Sequence, residues 1–119
     1  MTAKNTELLE CVVKAADDRL GKDIVALDMA GLTTLADYFV IVTANNERQV
    51  NAVADAVEEA VYKNGFDVKQ VEGRQAGKWI LLDCHDVIVH IFQADERERY
   101  NLEKLWHEAP LLNLNDWLS

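Results

Sequence analysis

Basic residues are scarce in this chain: 12 Lys and Arg stand against 21 Asp and Glu, a formal charge of −9 over 119 residues. That balance disfavours wrapping of a phosphate backbone, so no direct nucleic-acid recognition is expected. It suits a basic protein partner, or serves solubility alone. Cysteine occurs only twice, as Cys11 and Cys84. Two such thiols make neither a disulfide framework nor a metal-ligand set, and they fit a reducing compartment. There is no run of roughly 18 apolar residues and no charged-then-apolar amino terminus, so neither a membrane span nor a signal peptide is expected and the protein is placed in the cytoplasm. Gly-x-Ser-x-Gly, Cys-x-x-Cys and GxGxxG are all missing, and with them the usual nucleophilic, redox and dinucleotide signatures; no cofactor is expected. No internal repeat, low-complexity tract or linker interrupts the chain.

Half of the residues are hydrophobic, enough at this length to bury one core. The densest stretch is Lys78 to Phe92. Trp79 to Asp83 and Asp86 to Phe92 are β-rich runs flanking Cys84-His85, which reads as a β-hairpin with a two-residue loop. That loop sets Asp83 opposite Asp86, Leu81 opposite Ile88 and Trp79 opposite His90. Side chains alternate along a strand. One face therefore carries Ile80, Leu82, Val87, Val89 and Ile91, and is core. The other carries Trp79, Leu81, Asp83, Asp86, Ile88, His90 and Phe92, large apolar groups mixed with carboxylates and an imidazole, and is the candidate partner-binding face.

Upstream, Leu9, Val12, Val13, Ala16 and Leu20 recur at helical spacing, predicting a helix over residues 6–20 with Gly21 as its left-handed stop. Ile24 to Met29 and Tyr38 to Thr43 read as strands, the second covered on both faces. Asn46, with Gln49 in capping-box position, opens a helix whose buried stripe is Val50, Val53, Ala54, Val57 and Val61, ending at Asn64-Gly65. A weaker edge strand over residues 66–72 completes a βαβ unit. Asp95 and Glu98 offer another capping signature, for a third helix with the stripe Leu102, Leu105, Trp106 and Ala109, stopped by Pro110. Arg97, Arg99 and Lys104, interleaved with Glu96, Glu98 and Glu103, read as a solvated helix face. The apolar tail 110–119 is expected to pack either on this domain or on another copy, which leaves a homodimer open.

Gly73-Arg-Gln-Ala-Gly77-Lys78 is one residue short of a phosphate loop and leads into a strand, so it reads as a flexible entry to the hairpin. Asp83, His85, Asp86 and His90 have the composition of a metal or acid-base cluster, but one hairpin does not readily turn His85 at its tip and His90 further down toward one point.

The motifs Asp37-Tyr-Phe-Val-Ile-Val-Thr43, Arg48-Gln-Val50, Glu72-Gly73, Gly77-Lys-Trp79, Leu82-Asp83, Asp86-Val-Ile-Val-His-Ile-Phe92 and Tyr100-Asn-Leu-Glu-Lys-Leu-Trp106 follow one another in order. On these the chain resembles the Iojap family of ribosomal silencing factors over about residues 6–109, with the tail 110–119 outside the pattern. His85 stands where many members have glycine, and Asn46 where serine is frequent. The resemblance implies a single α+β domain, a mixed sheet of about five strands with helices packed on it, similar to the nucleotidyltransferase core. It implies a non-enzymatic factor that binds the large ribosomal subunit through its fourteenth protein, blocks joining with the small subunit and represses translation when nutrients are short. The Gly-Ser and Asp-x-Asp metal signature of active nucleotidyltransferases is absent, with Thr43-Ala-Asn-Asn46 in its expected place. The alternative is a degenerate nucleotidyltransferase or metal-dependent enzyme using Asp83, Asp86 and His90.

Overall fold

A computed structural model describes residues 3–118. In chain order they form α1 (Ala3–Asp18), β1 (Lys22–Asp28), β2 (Tyr38–Ala44), α2 (Glu47–Lys63), β3 (Gln70–Glu72), β4 (Trp79–Asp83), β5 (Val87–Gln93), α3 (Ala94–Tyr100) and α4 (Leu102–Leu105). The strands make one five-stranded sheet in the order β1-β2-β5-β4-β3. β1 is antiparallel to β2, β2 is parallel to β5, and β5, β4 and β3 alternate in direction. β3 therefore runs parallel to β2. The connection through α2 carries the chain across the sheet to its far edge, and the β4–β5 hairpin then fills the gap.

Both central strands are apolar on both faces because both faces are covered. All seven residues of β2 are buried, as are the first six of β5. On one face α1 and α2 pack Leu9, Val12, Val13, Val50, Val53 and Val57 against Val40, Val42, Ile80, Leu82, Val89 and Ile91. On the other, Leu27, Met29, Phe39, Ile41, Ile88, Phe92 and Ala109 form a second, smaller cluster, with Trp79, Leu81, Leu102 and Trp106 at its margin.

The hairpin register differs from the sequence expectation by two residues. Trp79 pairs with Phe92, Leu81 with His90 and Asp83 with Ile88. The Cys84 N–H donates to the Val87 carbonyl at 2.9 Å, and the two-residue loop is His85-Asp86. His85 takes the left-handed conformation, φ 70°, that such a loop needs at its first position, and the Asp83 carboxylate accepts its N–H at 2.9 Å. Cys84 lies just past the end of β4, buried in the same core as Leu82, so it stands outside the two-residue loop. Because the slip is even, both faces keep the composition read from sequence.

The helix boundaries show other corrections. α1 stops with Leu20, not Gly21, in the left-handed conformation. Gly21 is required for space: a Cβ there would lie 2.6 Å from Val42 Cγ1 and 2.8 Å from the Ala16 carbonyl oxygen. At α2, Asn46 Oδ1 accepts from the Gln49 N–H, while the Gln49 side chain reaches the N–H of Asn45, one residue further back than a capping box requires. The expected third helix is two short ones, broken at Asn101 with φ 44°; α3 has Gln93 at its N-cap and no side-chain cap, so the Asp95/Glu98 signature is not used. Asparagine tolerates this conformation better than most residues. The entry to the hairpin is a built turn, not a flexible one: Gly77 N–H donates to the Gly73 carbonyl, and Arg74 pairs with Asp55 and Glu58 of α2 at 2.8 and 3.3 Å. The tail seats on its own domain. Leu111 bridges to Leu27, Leu112 N–H donates to the Ala26 carbonyl, and Leu114 is buried in the main core.

Candidate functional site

The predicted face divides by depth. Trp79, Leu81 and Asp83 are half-buried and Asp86 is exposed, whereas Ile88, His90 and Phe92 are 7, 5 and 1 % exposed. The first four are available to a partner, while the last three lie beneath the surface. The expected contact face of seven residues thus has an open part and a covered part. β5 is the middle strand and α3, α4 and the segment to Ala109 close over it, so its second-face residues are sealed, while those of β4, nearer the edge, stay partly open.

Trp79 organises the open part. Its indole stacks on Phe92 at a centroid separation of 4.9 Å and meets Tyr100, the last residue of α3, at 4.7 Å. His90 lies 5.9 Å from it, and Phe39 links His90 to Trp106 by edge-to-face contacts of 5.1 and 6.0 Å. Six rings thus run continuously across this face of the sheet. Such contacts hold ring orientation beyond the burial they provide.

Sequence reasoning missed two members of the surface. Tyr100 is 46 % exposed and Leu105 67 % exposed, and with Asn101, Lys104 and His107 they line a shallow groove beside Trp79. The helical spacing of Leu102, Leu105, Trp106 and Ala109 puts Leu105 on an inward stripe. The break at Asn101 resets the helical phase and turns it outward. A signal was present in the Tyr100-Asn-Leu-Glu-Lys-Leu-Trp106 motif, whose asparagine marks the break.

The carboxylates belong to the opposite end. Asp83 lies four residues along β4 from Trp79, about 13 Å at the rise of an extended strand. Among the described residues no three His, Cys, Asp or Glu side chains stand close enough to share a metal ion. The imidazole of His90 presents no nitrogen to a substrate: Nδ1 accepts the Trp79 indole N–H at 3.2 Å, and Nε2 is buried without a partner. Burial lowers its pKa from 6.5 to about 4, so the ring is neutral. Burial likewise pushes the Cys84 thiol up to about 12 and raises that of Cys11. Neither is an activated nucleophile. Among the described residues no helix is long and apolar enough to cross a membrane.

Residues 2–118 match the family described as "Ribosomal silencing factor during starvation". The match runs through the tail that sequence reading had placed outside the pattern. The "Ribosomal silencing factor RsfS" of Halalkalibacterium halodurans is 43 % identical over 115 residues, covering 97 % of this chain and 98 % of that protein. Its counterpart in Bacillus subtilis is 45 % identical, covering 91 % and 92 %. A crystal structure of a Chromobacterium violaceum protein superimposes with a TM-score of 0.85 at 34 % identity, covering 90 % of this chain and 88 % of that one.

Proposed function

Because the chain belongs to the ribosomal silencing factor family, we propose that it binds the large ribosomal subunit through that subunit's fourteenth protein and blocks joining with the small subunit. Translation is thereby repressed when nutrients are short. The protein acts in the cytoplasm by occupying a surface and not by catalysis. The observation that carries this reading is the half-open aromatic face: Trp79, backed by Phe92 and flanked by Tyr100, next to the exposed Leu105. An aromatic anchor on a rigid base, with apolar neighbours, is the composition of an energetic centre in a protein interface. Leu81 extends it, and Asp83 and Asp86 supply polar contacts at the rim. Ile88, His90 and Phe92 support it from below. The surplus of acidic residues favours encounter with a basic ribosomal protein.

Co-sedimentation with separated ribosomal subunits tests the proposal. Wild-type protein is expected in the large-subunit fraction, and Trp79→Ala is expected to stay in the supernatant with its far-UV circular dichroism retained. Truncating a central aromatic anchor commonly costs about 2 kcal/mol or more of binding. The neighbouring Ile80→Ala should instead lose about 2–5 kcal/mol of stability, since Ile80 is fully buried. Folded Trp79→Ala that sediments like the wild type would overturn the assignment.

A further inference from the structure

We infer that His90 is a positioning residue for Trp79, fixing which edge of the half-exposed indole faces a partner. The inference rests on the reading of Trp79 as a contact residue. An indole N–H is a donor only, so the nitrogen it meets, His90 Nδ1 at 3.2 Å, must be unprotonated. The imidazole proton then sits on Nε2, which is buried with no hydrogen-bond partner. One hydrogen bond is gained and one buried donor is left unsatisfied, a combination with little or no net benefit to folding. His90 sits on its face among Phe39, Trp79 and Phe92, across from Ile41 and Leu81, an apolar setting that an aliphatic side chain at position 90 would also fill.

The imidazole's contribution is orientational. Phe92 and Tyr100 define the plane in which the indole lies, at centroid separations of 4.9 and 4.7 Å. Ring stacking discriminates weakly between the two orientations related by a half-turn of the indole, because the last torsion of tryptophan is broad and roughly two-fold. A single acceptor at one edge removes that ambiguity. With the N–H turned inward to His90, the apolar edge of the indole is the one presented outward.

The test uses the full chain, carrying His90→Leu, which removes the acceptor, or His90→Gln, whose side-chain oxygen can accept the same N–H. Three properties are read: denaturant midpoint, the Trp79 indole N–H resonance, identified by its loss in Trp79→Phe, and co-sedimentation with isolated large subunits. His90→Leu is expected to keep or exceed wild-type stability, to shift the Trp79 resonance, and to bind about five- to tenfold more weakly, the factor one net hydrogen bond supplies. His90→Gln should restore part of the resonance position and of the binding. His90→Leu that unfolds, or that binds like the wild type, would overturn the inference. If Trp79→Ala itself binds normally, the proposed function fails; if it loses binding and His90→Leu does not, only the role of His90 fails.

Discussion

Arg97 and Glu103 hold each other across the break at Asn101, with Arg97 Nε 3.0 Å from Glu103 Oε1 and Arg97 Nη2 3.2 Å from Oε2. The remaining guanidinium nitrogen donates to the Asp23 carbonyl at 2.6 Å and to Thr43 Oγ1 at 2.8 Å. One side chain, only 13 % exposed, thus ties α3 and α4 to β1 and β2. It meets β1 at its irregular start, where the register shifts between Lys22 and Val25 and Asp23 adopts a positive φ of 50°. The groove beside Trp79 is built on this clamp, because Tyr100 and Leu105 lie on either side of the break it bridges.

Arg97→Ala should therefore cost about 2–4 kcal/mol, since it leaves several partly buried acceptors without their donor. Glu103→Gln should cost about 1 kcal/mol or less, because the Glu103 side chain is 37 % exposed and the amide retains an acceptor oxygen. Urea melts of the two variants check the ranking. Equal losses would mean that the ion pair, and not the contacts to Asp23 and Thr43, carries the effect.

Gly73 and Gly65 both have positive φ, 91° and 84°, yet they should respond differently to alanine. Nothing lies within 4 Å of a Cβ at Gly65, so Gly65→Ala should cost about 1 kcal/mol, the penalty of the left-handed conformation alone. A Cβ at Gly73 would stand 2.0 Å from the Trp79 carbonyl oxygen, within the backbone of β4. Gly73→Ala should cost more than about 3 kcal/mol, combining strain with displacement of the hairpin entry. Denaturant midpoints that place Gly65→Ala below Gly73→Ala would contradict this account.

The tail supplies a third prediction. Leu114 is buried in the main core and Leu112, Trp117 and Leu118 pack beside it, while Pro110 and Leu112 bond the outer edge of β1. Leu114→Ala should lose about 2–4 kcal/mol, the cost of a core truncation. Leu111→Ala, at a position 67 % exposed, should change stability by less than about 0.5 kcal/mol. Thermal melts distinguish a tail seated on its own domain from one that docks elsewhere, in which case both substitutions would be mild.

What could be read from the sequence follows the range of the forces involved. The aliphatic face of the hairpin, the α2 stripe and the five strands were legible because a side-chain period of 2 or 3.6 is local. The hairpin register was not, since it depended on whether Cys84 belonged to the loop, and only the core that receives its side chain decides that. Arg97 looked like one of several solvated charges because its acceptors at Asp23 and Thr43 lie 74 and 54 positions away. The candidate face shows the same division: alternation tells which residues share a face, and only the position of β5 in mid-sheet tells that Ile88, His90 and Phe92 are covered.

Acid should destabilise the fold through His90. Its pKa is lowered from 6.5 to about 4 by burial, so the unfolded chain binds the proton more tightly than the folded one. Stability from this group is complete above pH 6.5 and falls as pH drops from 6.5 toward 4, by up to about 3 kcal/mol at 1.4 kcal/mol per unit. The other groups with displaced titration, Cys11, Tyr38 and Cys84, all move upward from alkaline values and stay out of this window. Protonation would also put a donor on Nδ1 facing the Trp79 indole N–H, breaking that hydrogen bond and leaving a buried charge unpaired. Urea unfolding free energies measured between pH 7 and pH 4.5 should therefore slope downward in the wild type and more shallowly in His90→Leu. Parallel slopes in the two proteins would mean that His90 does not carry the acid sensitivity.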